Sequence, residues 1–275
     1  MTEKNIAILM ATYNGALYLR EQIDSILSQT YGKWHLYVHD DGSTDSTLMI
    51  LEEYASAYDD RITILKYPKT GNSCNNFMSL LKRVKANYYM FTDQDDVWHV
   101  DKIELSYKSM ISAEAKYPSK PIVVHSDLQV VNKDLKLLHS SFLKYNGIEQ
   151  NKIKKYEDYI QNVVTGNTML INEYAKDVSL TQSYAHATMH DAWITLRTIA
   201  EGGLRIFIDK PLVDYRQHDS NVLGAQIKNK ISIQYRLTHS LEMLKLNFAH
   251  FLMMRDAGGK KMTIIKYVKR KLKRN

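Results

Sequence analysis

Short apolar runs alternate with helix-length amphipathic segments through the first half of the chain. IAILMAT (6–12), WHLYVHD (34–40), ITILKY (62–67) and YYMFTD (88–93) have the length and side chains of strands. Between them, segments 16–29, 45–58 and 75–85 carry helical spacing; in the first, Leu19, Ile23, Ile26 and Leu27 share one face. Strands that alternate with helices predict right-handed βαβ units, hence an α/β domain with a mainly parallel sheet flanked by helices. Further on, PIVVHSD (121–127), TGNTMLIN (165–172) and RIFIDKPLVDYR (205–216) read as strands, and a helix is expected near 190–201. No repeat or low-complexity linker interrupts residues 1–225, which read as one domain.

Residues 226–275 form a helical extension in this reading. Ile227, Ile231, Leu237, Leu241, Leu244, Phe248 and Phe251 give an approximate stripe that Gly258-Gly259 breaks. The last segment, KKMTIIKYVKRKLKRN, spaces Ile265, Val268 and Leu272 helically among eight basic residues and no acid. Such a helix suits an anionic membrane surface, and equally a solvated tail or a helix docked on the body.

In parallel sheets ligands sit at the carboxyl ends of the strands. TYNG, DDGSTD and TDQDDVW each follow a strand directly, so three polar loops are expected at one edge.

Composition narrows the class. At 44% hydrophobic residues the chain can bury a sizeable core, and 19 tyrosines against 6 phenylalanines imply many half-wet rings. Cys74 is the only cysteine, so no disulfide framework exists and a reducing compartment is expected. The N-terminus lacks the pattern of a secretory signal, and no run approaches the ~18 apolar residues of a membrane span. These features predict a cytoplasmic protein. The net charge of +7 divides unevenly: residues 228–275 hold thirteen Lys/Arg against Glu242 and Asp256, leaving residues 1–227 mildly acidic. An acidic body argues against a nucleic-acid partner, while the basic tail fits contact with something anionic.

Four stretches carry candidate chemistry. In DDGSTD (40–45), Ser43 or Thr44 can cap the next helix, leaving Asp40 and Asp41 free to accept from a pyrimidine N–H. In FTDQDDVW (91–98), three carboxylates within four positions repel one another, and each raises the others' pKa. A hard divalent ion would relieve that crowding, although a solvated acidic loop has the same pattern. In MHDAWITL (189–196), Asp191 either caps a helix beside a core Trp193 or acts as a general base with Trp193 as a stacking wall. In YRQHDSN (215–221), His218 is either a surface histidine or an imidazole ligand that favours Mn²⁺ over Mg²⁺, with Arg216 steadying a phosphate.

In this order, ATYNG (11–15), DDGSTD (40–45), TDQDDVW (92–98), TGN (165–167), HDAW (190–193) and YRQHDSN (215–221) resemble the family 2 glycosyltransferases of the inverting GT-A type. The bacterial rhamnosyltransferase-like branch of polysaccharide biosynthesis is the nearest in pattern. The resemblance spans roughly residues 5–225 and implies a GT-A fold. It implies that Thr12, Tyr13 and Asn14 line the nucleotide pocket, with Asp41 and its neighbour Asp40 at the base. Asp93 and Arg216 would serve the donor, Asp96 would line its sugar pocket or lie just behind it, and Asp95 and His218 would hold Mn²⁺ or Mg²⁺. Asp191 matches the family's general base, and Asn167, His190 and Trp193 would lie near the acceptor. Where the family often has an Asn-x-Gly stretch, PKTGNSCNNF departs from the pattern, so no residue there is assigned.

The implied reaction moves a hexose or deoxyhexose (rhamnose, galactose or glucose) from a UDP- or dTDP-sugar to a glycan acceptor, in bacterial surface polysaccharide synthesis. A lipid-linked oligosaccharide acceptor would place the enzyme on the inner face of the plasma membrane, held through its basic tail. Two other classes share parts of this pattern. A sugar-1-phosphate nucleotidyltransferase would need a glycine-rich phosphate loop, and ATYNGALYL offers only Gly15. A non-catalytic sugar-nucleotide-binding subunit would have no need to keep Asp95, Asp191 and His218 together.

Overall fold

The computed structural model describes residues 5–153, 156–218, 240–258 and 262–272. Among them nine strands form one sheet: β1 (Ile6–Thr12), β2 (Trp34–Asp40), β3 (Ile62–Ile64), β4 (Tyr88–Thr92), β5 (Val97–Trp98), β6 (Ile122–Val131), β7 (Leu137–His139), β8 (Met169–Asn172) and β9 (Leu204–Arg216). The spatial order is β3-β2-β1-β4-β8-β6-β9-β5, with β7 hydrogen-bonded to β6. β1 to β4 run parallel, as do β6 and β9. β8 lies antiparallel between β4 and β6, so the sheet is mixed at its centre. β5 and β7 are likewise antiparallel to their partners.

The continuous apolar run of β1 reflects burial on both faces. Ile6, Ile8 and Met10 point into one core with α1 (Leu19–Leu27), α2 (Thr47–Ala57) and α4 (Lys102–Lys116). Ala7 and Leu9 point into the other, covered by α3 (Ser73–Arg83), α6 (Glu173–Leu180), α7 (His190–Ala200) and α8 (Ser240–Gly258). The short α5 (Phe142–Tyr145) and the terminal α9 (Ile264–Leu272) complete the helices described.

Some expected elements differ. β3 stops at Ile64 rather than Tyr67: Leu65 still donates to Val38 (2.8 Å), and the chain then leaves the ladder toward Pro68. Residues 165–168 form a 3₁₀ turn, so β8 begins only at Met169. α4 and α6 lay outside the expectation. α4 buries a narrow, partly polar face of Lys102, Ile103, Ser106, Met110 and Ala113, which weakens its apolar periodicity. α6 is capped by Asn172, whose side chain accepts from Ala175 N (3.0 Å).

The 225/226 boundary and the start of the Ile227–Leu241 stripe lie outside the described residues. α8 packs into the same core as α7: Met253, Met254 and Ala257 are fully buried. Arg197 donates to Ala257 O (2.6 Å), and Tyr156 Oη donates to Met254 O (2.5 Å). α9 buries Tyr267 and turns Ile265, Val268 and Leu272 to solvent. No described helix is long and apolar enough to cross a membrane.

Candidate active site

The parallel strands β1, β2, β4 and β9 end at one edge of the sheet. Because β8 runs the other way, its leading turn, 165–168, reaches the same edge. The N-terminus of α7 lies beside that turn. Six separate segments therefore meet, which accounts for the polar clusters after the strands.

On the β1–β2 side, nearly every polar group is already engaged. Thr12 is buried and donates to Asp40 Oδ1 (2.9 Å), while Gly42 N, Ser43 N and Ser43 Oγ complete the Asp40 carboxylate at 3.0, 2.8 and 2.5 Å. Asp40 is therefore not free for a base: it closes its own turn. Asp41 accepts from Thr70 N (2.5 Å), Thr70 Oγ1 (3.0 Å) and Gly71 N (2.9 Å), so the unassigned PKTGN loop closes over it. Neither Ser43 nor Thr44 caps α2. The N-cap is Ser46, with no side-chain cap bond, and Asp45 just ahead of it accepts from Thr47 N (3.0 Å) and Thr47 Oγ1 (2.5 Å).

Asn14 adopts φ +49, accepts from Thr44 N (2.8 Å) and donates its own N–H to Ser43 (2.8 Å), tying the β1 and β2 loops together. Asn tolerates this left-handed conformation better than most residues. Gln94 clamps Tyr13 from the third loop, accepting from its N–H (2.8 Å) and donating to its carbonyl (2.9 Å). Tyr13 stays 57% exposed at this edge.

The acidic loop is arranged differently. Asp95 Oδ2 and His218 Nε2 lie 2.9 Å apart, and Tyr18 packs on the His218 ring at 4.8 Å. Asp93, half-buried, has its carboxyl pushed up to about 7, first by burial and then by Asp95 and Asp191. Asp96 is fully buried and held well above the usual carboxylate range by burial and by its two neighbours. It accepts from the Asn167 amide and from Arg216 N (3.2 Å). Asp96 and Asn167 are thus bonded to each other, while the buried Asn167 Oδ1 has no hydrogen-bond partner among the described residues.

Arg216 also departs from expectation. Its guanidinium is 1% exposed and donates to Asp95 O (2.9 Å), Lys133 O (2.6 Å) and the Glu21 carboxylate. It stacks over Tyr18 at 4.4 Å. The group fastens β9 to the acidic loop.

At the third segment, Asp191 occupies the second position of α7. The N-cap is Met189, so Asp191 is not the cap. Its oxygens accept from Gly166 N (3.0 Å) and Ala192 N (2.5 Å). Burial raises the carboxyl to about 6 against the pull of these donors. Gly166 is required here, because a Cβ would meet His190 Nε2 at 2.5 Å. His190 packs between Phe77 (4.1 Å) and Phe91 (5.1 Å), and burial lowers its pKa to about 3. Trp193 is fully buried and donates its indole N–H to Ser179 O (2.9 Å). It is a core residue, and the stacking wall expected of it is absent.

Gln94, Thr70 and Lys102 were missed by sequence reasoning. Gln94 lies inside the quoted motif, but a clamp on a backbone 81 residues away has no local signature. Lys102 is fully buried with its ammonium 3.9 Å above the Trp98 ring. Burial lowers its pKa to about 7, with Asp96 pulling the other way. A lysine reads as exposed in any sequence pattern.

Solved structures establish the fold as GT-A-like. The UDP complex of residues 1–349 of Staphylococcus aureus TarS superposes with TM-score 0.60 at 15% identity, over 90% of this chain and 80% of that one. The mannosyltransferase PcManGT of Pyrobaculum calidifontis, in complex with GDP-Man and Mn²⁺, gives TM-score 0.62 at 13% identity, over 94% and 74%. At the sequence level, the Glycosyl transferase family 2 model matches residues 7–178, and the chain belongs to that family. It is 29% identical over 232 residues to the dTDP-rhamnosyl transferase RfbG of Shigella flexneri, covering 80% of this chain and 75% of that protein. It is also 29% identical over 153 residues to the UDP-Glc:alpha-D-GlcNAc-diphosphoundecaprenol beta-1,3-glucosyltransferase WfgD of Escherichia coli, covering 54% of this chain and 58% of that protein. The protein is a glycosyltransferase, and the nucleotidyltransferase and non-catalytic alternatives fall. The matched span includes the acidic loop and Asn167 but ends before Asp191, Arg216 and His218.

Proposed function

We propose that the protein is an inverting, metal-dependent hexosyltransferase that moves a hexose or deoxyhexose from a UDP- or dTDP-sugar to a lipid-linked glycan acceptor in surface polysaccharide synthesis. The observation that carries this reading is Asp191: a buried carboxyl at the start of a helix, raised to about 6, beside the edge where the acidic loop sits. A base with that pKa is ionised at neutral pH yet still basic enough to receive a hydroxyl proton. In the reaction, the acceptor oxygen attacks the anomeric carbon from the face opposite the leaving nucleoside diphosphate as Asp191 takes the proton. A single displacement inverts the configuration, with no covalent sugar–enzyme intermediate. Asp191 is only 2% exposed, with the Gly166 N–H held against its carboxylate.

Asp95 and His218 fit a divalent ion. One hard oxygen and one imidazole at hydrogen-bond distance match Mn²⁺ and accept Mg²⁺, and a cation would relieve the repulsion that lifts Asp93. Among the described residues, no group of three or more His, Cys, Asp or Glu side chains is placed to hold an ion. Remaining positions would go to other ligands, as is usual where substrate phosphates share the metal. When bound, such an ion stabilises the negative charge on the departing diphosphate. Tyr13 and Asn14 would border the donor pocket, and Asp41, held by Thr70 and Gly71, lies on the loop that would meet the base. The names of RfbG and WfgD support dTDP or UDP as the nucleotide.

The C-terminal helices supply the membrane contact, on the inner face of the plasma membrane. α9 exposes Ile264, Ile265, Val268 and Leu272 among Lys266, Lys269 and Arg270. Exposed Leu244 and Phe248 on α8 extend the apolar surface. Ile265→Ser with Val268→Ser should reduce co-sedimentation with anionic vesicles, and unchanged binding would remove the membrane from the reading.

A thermal-shift panel of UDP, dTDP, GDP and CMP, each with Mn²⁺, Mg²⁺ or EDTA, tests donor and metal together. Stabilisation by UDP or dTDP that EDTA abolishes is expected. No metal-dependent shift with any nucleotide would overturn the metal site.

A further inference from the structure

A second concavity lies away from the sheet edge. It measures about 910 Å³ and is bounded by the segment after β3, the last turns of α3, and Tyr184 ahead of α7. Its basic wall lies at the last turn of α3, about 15 Å along that helix from the first turn that adjoins the Asp41–Gly71 clasp, while its floor at Tyr67 stacks on His39, the neighbour of Asp40.

Lys66, Lys82, Arg83 and Lys85 line this cleft, and no carboxylate does. None of the four forms an ion pair or side-chain hydrogen bond among the described residues. Their clustering contrasts with the acidic balance of residues 1–227. Unpaired cations facing one concavity repel each other and gain from an anion between them.

The floor is built rather than incidental. Buried His39 is held by Asn76 Oδ1 (2.9 Å) and Tyr67 O (3.0 Å). Tyr67 stacks flat on it, with ring centroids 3.5 Å apart and planes 4° from parallel. The Arg83 guanidinium lies over the other side of Tyr67 at 4.4 Å. This three-layer stack presents Arg83 in a fixed place, so little rotamer freedom remains to be lost on binding. Tyr37 and Tyr184 add half-buried rings along the walls. Aromatic faces suit the apolar faces of sugar rings, and the cations suit carboxylate or phosphate.

We propose that this cleft is a second, non-catalytic binding site for an anionic stretch of glycan, a run of sugars bearing carboxylate or phosphate groups. It rests on the transferase reading only for the source of that glycan, since binding is measured without transfer. Calorimetric titration of the full chain would use tetragalacturonate, a phosphorylated oligomannose, a neutral tetrasaccharide, inorganic phosphate and phosphatidylglycerol vesicles. At least one charged oligosaccharide is expected to bind about tenfold or more tighter than the neutral one and than free phosphate, and to weaken with salt. Which of the two binds identifies carboxylate or phosphate as the anion. K82Q/R83Q is expected to weaken that binding about tenfold. Y184A, which leaves every charge in place, should also weaken it. The nucleotide thermal shift should be unchanged in both, so a failed donor site and a failed cleft are distinguishable. The proposal is overturned if the neutral sugar or phosphate binds equally well, if K82Q/R83Q binds as the wild type does, or if that variant loses vesicle binding instead.

Discussion

Two pairs of adjacent aspartates stand at the same edge of the sheet and meet opposite fates. Asp40 and Asp41 follow β2, and backbone and hydroxyl donors of turns 42–43 and 70–71 surround both carboxylates. Asp95 and Asp96 follow β4 with Asp93 beside them. There, like charges and burial push Asp93 and Asp96 upward, and Asp95 is left against one imidazole. The dipeptide is identical; the supply of N–H donors is not. A carboxylate ringed by donors fastens a loop, while one crowded by other carboxylates is poised for a proton or a cation.

The largest effect is expected beyond both pairs, at Asp191, whose charge Asp93 feels. Asp191→Asn should lower transfer by about 10²–10⁴-fold while donor binding persists; retention of more than ~1% of activity would argue against a base. In the wild type, kcat should fall as pH drops through about 6, where Asp191 gains its proton. Because its folded pKa lies above the unfolded value, the ionised carboxylate opposes folding at pH 7. Asp191→Asn relieves that opposition but turns an amide nitrogen toward Gly166 N or Ala192 N, so activity should be lost with only a small change in melting temperature.

Next in size is Arg216→Met. Removing a buried cation from Asp95 O, Lys133 O and Glu21 should cost about 3–5 kcal/mol in urea denaturation. A loss under ~1 kcal/mol would return Arg216 to the ligand side. Asp95→Asn against Asp40→Asn is the direct test of the two pairs. Asp95→Asn should abolish the EDTA-sensitive nucleotide shift with little loss of stability. Asp40→Asn should keep that shift and lose about 1–3 kcal/mol, because an amide nitrogen then faces groups that donate. Similar behaviour of the two variants would erase the distinction.

The smallest effect concerns His190. Its pKa is depressed to about 3 in the fold, so below the unfolded value near 6.5 the unfolded chain binds the proton first and stability falls with pH. By pH 5 this should amount to about 2 kcal/mol relative to pH 7, a difference that His190→Gln should remove from the acid limb of the stability curve.

Much of this molecule was legible in the order of its residues. IAILM and YYMF are continuous apolar runs because both faces of β1 and β4 are covered, and the polar clusters follow strands because strand ends are where a parallel sheet exposes its loops. Within the tail, the described residues hold two helices, α8 and α9, where helical spacing is visible in the sequence. Trp193 and Arg216 misled for one shared reason: an aromatic ring or a guanidinium within a motif has the same letter whether it faces a ligand or the core.

By itself, then, the sequence determined the α/β class, the family-bearing motifs and the edge where they gather, since these depend on local periodicity and spacing. Only the tertiary structure decided which carboxylates are clasped and which are exposed to one another. Those partners come from residues about 30 to 120 positions away: Thr70 on Asp41, Asn167 and Arg216 on Asp96. The placement of an antiparallel β8 in the middle of the sheet, which carries Gly166 to Asp191, was equally a matter of long-range pairing. Protonation and hydrogen bonding depend on distance in space, and distance in space is set by the whole fold.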